Sequence, residues 1–115
     1  MPKKKDEFAP CQLLDNEDGT YSLLFTDFDG TAATFEELDQ EGGGYGWHGV
    51  VDVLIRLRTP KLKKKLSYDP EASMFVTLSK DKDALKQVAG LIREAVADPK
   101  LLREAISNAD PELMD

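Results

Sequence analysis

The sequence predicts an α+β domain: two β-hairpins forming one antiparallel sheet, with helices packed on one face, in the order ββααββαα. Three observations carry this. Short runs of strand formers come in pairs around turn residues. Two longer stretches carry apolar residues at helical spacing. A cluster of glycines and large aromatics, Gly42-Gly43-Gly44-Tyr45-Gly46-Trp47-His48-Gly49, separates two helical segments in the middle of the chain. Hairpins segregated from helices pack as a sheet with its helices to one side.

The first ten residues contain Lys3, Lys4 and Lys5 followed by Asp6 and Glu7, and they read as a flexible tail, with one domain over 11–115. Cys11–Asp15 is an apolar-rich run, Asn16-Glu17-Asp18-Gly19 a turn, and Tyr21–Thr26 a second strand. Ala32–Gln40 reads as a short helix, capped by Thr31 or by Thr34 with Glu37 at capping-box spacing, with Phe35 and Leu38 on one face.

The glycine cluster then predicts a corner. Glycine is the residue a chain uses where φ must be positive or where another backbone comes close. Tyr45 and Trp47 are expected as core anchors beside it. A phosphate-binding loop is the rival, but the spacing fits neither G-x-x-x-x-G-K-[ST] nor a strand-borne G-x-G-x-x-G. Trp47–Arg58 follows as a helix with Val50, Val51, Val53, Leu54, Ile55 and Leu57 on a broad apolar face, so it should be central. Its valines and isoleucine leave a strand as the competing assignment. Arg56 and Arg58 suit a helix C-terminus and Pro60 stops the run.

Lys61–Leu66 is a basic connector leading into Ser67-Tyr68. Asp69-Pro70-Glu71-Ala72 is a turn, and Met74–Leu78 a strand that returns beside Leu66–Tyr68. A long helix runs from about Ser79–Lys82 to Ala97, with Leu85, Val88, Ala89, Leu91, Ile92, Ala95 and Val96 as its stripe. Asp98-Pro99 starts another, Asp98 capping and Pro99 in the first position, to about Asn108. The end of the chain is acidic.

Composition narrows function. A net charge of −7, reached despite the N-terminal lysines, argues against nucleic acid and anionic membrane as partners. The single cysteine, Cys11, allows no internal disulfide and points to a reducing, cytoplasmic compartment. The single histidine, His48, excludes a histidine pair for zinc. No cofactor and no metal site are expected.

One segment looks catalytic. Thr26-Asp27-Phe28-Asp29-Gly30-Thr31 resembles the D-x-D-G-T motif of the haloacid dehalogenase-like phosphatases. That resemblance implies Asp27 as nucleophile and Asp29 as acid and base, both helping to hold Mg²⁺. The same family implies a parallel doubly wound sheet, for which this chain has too few strands, and a later Lys and acidic pair. Lys80, Asp81 and Asp83 exist, but at what reads as the start of a surface helix. Two aspartates and a glycine at a strand end are also what any turn into a helix uses.

A second resemblance spans the chain from about Tyr21. Phe35-Glu36-Glu37, then Glu41-Gly42-x-Gly44-Tyr45-x-Trp47 and the apolar helix are followed by Tyr68-Asp69-Pro70-Glu71-Ala72-x-Met74-Phe75. Ala97-Asp98-Pro99 and a final Asp-Pro at Asp110 close the series. In this order they resemble the immunity protein 51 family of bacterial polymorphic toxin systems. The glycine run here is richer than that pattern. The resemblance implies an α+β fold and a cognate toxin domain that is bound and neutralised; joined to the absence of an assembled catalytic set, it predicts one-to-one binding without turnover, by a monomer or weak homodimer. It assigns no residues. Charge and position make Glu36, Glu37, Asp39, Glu41, Tyr45 and His48 the candidate partner-binding residues, with carboxylates facing a basic toxin. A solvated helix face and a general protein-binding adaptor remain open alternatives.

Overall fold

The computed structural model describes residues 8–114. Of the tail expected over 1–10, residues 1–7 lie outside the described residues, whereas Phe8 packs partly buried against the core and the Ala9 carbonyl accepts from Arg93 at 2.8 Å. The elements are β1 (Gln12–Asp15), β2 (Tyr21–Phe25), α1 (Ala32–Glu36), α2 (Gly44–Arg58), a 3₁₀ segment (Pro60–Lys65), β3 (Ser67–Tyr68), β4 (Phe75–Ser79), α3 (Lys82–Ala97), α4 (Pro99–Asn108) and a closing 3₁₀ turn (Pro111–Met114). This is the expected order ββααββαα.

Both hairpins form and they join through their second strands. The sheet order is β1-β2-β4-β3, antiparallel throughout, with Leu23 opposite Thr77 and Phe25 opposite Phe75. Alternation along β2 and β4 sends Leu23, Phe25, Phe75 and Thr77 to the helical side, where all are buried. Thr77 is polar there, and its hydroxyl donates to the Ser67 carbonyl at 2.8 Å. The opposite face carries Leu14, Leu24, Val76 and Leu78, which stay outside the core cluster. The β1–β2 turn is fixed by its own side chains. Asp15 accepts from the Glu17 amide, Asp18 from Thr20, and the positive φ falls on Glu17 and Gly19.

α2 is the centre of the molecule. Trp47, Val50, Val51, Val53, Leu54 and Ile55 are all buried, because sheet, helices and both 3₁₀ segments surround it. Burial on nearly every side overrides the weak helix propensity of its valines. Trp47 is completely covered, edge-on to Phe25 at 4.9 Å between ring centroids and 5.8 Å from Phe35. Its indole N–H has no hydrogen-bond partner among the described residues.

The structure corrects several details. α2 begins at Gly44, not Trp47, so Gly44, Gly46 and Gly49 lie in its first turns and only Gly42 and Gly43 remain in the corner before it. None of these glycines has a positive φ; they are there for close approach. A Cβ on Gly44 would stand 1.9 Å from the Glu71 carbonyl oxygen and 2.3 Å from that of Met74. The β3–β4 turn therefore rests directly on the start of α2. Tyr45 is on the outside, 36% exposed, and is not a core anchor; Leu57, at 73%, is also outside. α1 stops at Glu36, with no side-chain cap from Thr31 and Thr34 inside the helix. The cap of α3 is Asp81, whose carboxylate accepts from Asp83 and Ala84, while Asp98 caps α4 as expected. The acidic end is ordered onto α2, with Met114 buried against Gly49.

Candidate interaction site

The six candidate residues fall into two adjoining places. The first is an acidic ledge. Phe35 is buried and pins the end of α1, so Glu36 and Glu37 face outward. The chain then turns tightly: the Leu38 and Gln40 amides donate to the Phe35 carbonyl, and Asp39 takes φ 58°. Aspartate tolerates that left-handed conformation better than most side chains. Glu41 follows, and its carbonyl presses on the first turn of α2, 2.3 Å from where a Cβ on Gly46 would stand. Glu36, Glu37, Asp39 and Glu41 are thus all exposed beside Tyr45. Glu37 is already engaged, accepting from Arg103 of α4 at 2.8 Å.

The second place is a cleft of about 590 Å³ beside α2. His48, Asp52 and Arg56 come from one stripe of that helix, four residues apart. Lys63 faces them from the first 3₁₀ segment, Asn108 from the end of α4 and Asp110 from the link to the closing turn. The His48 ring stacks on Tyr68 at 4.4 Å, and Asp52 accepts from Arg56 at 3.2 Å. Burial is the main influence on both rings. It holds His48 below its ordinary value, opposed by the Asp52 charge, and it pushes Tyr68 up to about 12, helped by that same charge. At neutral pH the stacked pair is therefore uncharged, with an ion pair next to it.

Tyr45 joins the two places, since it lies one turn before His48 on the exposed side of α2. The ledge was readable as a charge run. Asp52 and Arg56, flanking the only histidine at helical spacing, carried a signal that the sequence reading did not use. Lys63 and Asp110 carried none, because the folded chain alone brings them to α2.

Asp27 and Asp29 lie exposed on the turn after β2, and the described residues bring no third carboxylate, histidine or cysteine to them that would complete a metal site. The antiparallel sheet is also not the parallel one that the phosphatase motif requires. No helix among the described residues is long and apolar enough to cross a membrane.

Neither the curated proteins nor the solved structures gave a match. The family model described as Immunity protein 51 matches residues 11–111, from the start of the sheet to the closing 3₁₀ turn. The chain belongs to the immunity protein 51 family.

Proposed function

We propose that this chain neutralises a cognate toxin domain by binding it one to one, without turnover, in the reducing cytoplasm of the cell that it protects. The observation that carries this is the family match over nearly the whole chain. The contact surface in this reading is the acidic ledge with Tyr45, continued by His48 at the mouth of the cleft. Interfaces are anchored by partly buried aromatics and steered by charges at their rim. The ledge offers both: exposed carboxylates at Glu36, Glu37, Asp39 and Glu41 around a 36% exposed tyrosine. Nucleic acid and membrane are not partners in this reading, since the chain is acidic overall.

The test is co-expression with the toxin domain encoded beside this gene. Protection of the host, together with a purified complex of equimolar composition, is the expected result. Growth arrest despite soluble expression of both proteins, with no complex recovered, would remove the proposal. Protection by substoichiometric amounts would point to an enzyme instead.

A further inference from the structure

The second face of the sheet has no helix over it among the described residues. Leu14, 49% exposed, stands at its edge with Leu24 and Leu78, both half-buried, whereas Val76 and Ser22 in its middle are buried, and none of these belongs to the core cluster. The charges around this face are polarised. At the β1 side the turn carries Glu17 and Asp18, both exposed. At the β3 side the 3₁₀ segment brings exposed Lys64 and Lys65 beside Leu78 and Lys80, around a groove of about 440 Å³. Lys65 is paired with Asp81 at 2.9 Å, whereas Lys64 and Lys80 have no ion-pair partner among the described residues. The register puts both charged groups at the same end of the strands, since Asp15 pairs with Tyr21, Tyr21 with Ser79, and Ser67 with Leu78.

That layout is complementary to itself. A two-fold axis parallel to the strands turns one sheet over onto another and exchanges the β1 and β3 sides. The acidic turn of each copy then lies above the lysines of the other, at two equivalent contacts, as a closed two-fold interface requires. Stacked sheets lie about 10 Å apart, a gap that a lysine and an acidic side chain span together. We infer that this face is a homodimer interface, whose occupant is a second copy of this chain seated apolar face to apolar face. Two five-residue strands, one of four and one of two cover roughly 250 Å² per copy. A standard stable interface buries about 800 Å² per partner, so the dimer is weak and transient. This inference does not depend on the toxin reading. The proposed toxin surface, on α1 and α2, remains outside the paired faces.

Sedimentation over a concentration series tests it. The apparent mass of the whole chain should rise from one copy towards two between micromolar and millimolar protein, more steeply at low salt. Leu24→Glu should hold it at one copy, and Leu14→Glu, at an exposed edge position where folding is not at stake, should weaken association at least about tenfold. The decisive arm uses charge. Lys64→Glu with Lys80→Glu makes both sides of the face acidic. Glu17→Lys with Asp18→Asn removes the acidic turn while keeping an acceptor for Thr20. Each variant alone should fail to pair, and an equimolar mixture of the two should pair again. A chain that stays monomeric throughout, or a mixture that does not recover, overturns the inference. So does a monomeric wild type in which Leu24→Glu abolishes toxin protection, because the toxin would then own this face while the proposed function stood.

Discussion

Gly44 shows how closely the chain is fitted at its centre. The carbonyl oxygens of Glu71 and Met74 occupy the space that a side chain would need, and both belong to backbone held by its own mutual hydrogen bonds. Gly44→Ala should therefore destabilise the fold by about 1–3 kcal/mol or more, since overpacking here cannot be relieved by rotating a side chain. Gly30→Ala, with nothing within 4 Å, is the control and should stay within about 0.5 kcal/mol of wild type in urea unfolding. His48 makes a different prediction. Its folded pKa lies below the ordinary 6.5, because burial disfavours the charged ring. As pH falls below 6.5 the unfolded chain takes up the proton first, so stability declines through the window down to the folded value and then levels off. His48→Gln should flatten the urea midpoint across that window. The losses from Asp18 and Asp81, whose pKa values are lowered chiefly by hydrogen bonds from Thr20 and Lys65, come only below 3.8 and should remain. Trp47 was legible as a core anchor from the sequence. Tyr45 was not legible as an exposed residue, because its position on the helix depended on where that helix began.

At the scale of elements, composition located most pieces and misjudged ends. The sequence places the start of α2 at Trp47, since glycine is a poor helix former. The first turn forms anyway, since only glycine lets the β3–β4 turn lie against it. The shortness of α1 was hidden for a similar reason. Glu36 to Asp39 suit a helix, but Gln40 must fold back onto the Phe35 carbonyl to bring the chain to α2. Caps were easier to read, because their signal is local. Asp98 precedes Pro99, and its carboxylate accepts from the amides of Lys100 and Leu101 at 3.1 and 3.3 Å. Asp98→Ala should cost about 1 kcal/mol in global stability, and Asp98→Asn, which keeps the acceptor, should cost less. Equal losses in chemical denaturation would show that the charge, and not the hydrogen bonds, holds the start of α4.

At the scale of the whole molecule, opposite charges are kept apart: carboxylates at the α1–α2 junction, lysines along the segment before β3. The net charge of −7 conceals this division, which the two charge runs in the sequence already mark. It also sharpens what the ledge should do. Exposed charges at an interface rim act mainly on the rate of encounter and on its salt dependence. Glu36 and Glu41 are the residues to reverse. Glu37→Lys would set two cations together at Arg103, and Asp39→Lys would put a long side chain at positive φ, so either would perturb the fold as well as the field. With Glu36→Lys and Glu41→Lys together, association with the toxin should slow at low ionic strength, while the dissociation rate changes little. The difference from wild type should shrink at physiological salt, where exposed charges lose most of their reach within about 8 Å. Stopped-flow association at two salt concentrations measures both effects. Equal rates and equal salt slopes for variant and wild type would move the toxin contact away from the ledge, leaving Glu36 to Glu41 as a solvated face held in place by Phe35.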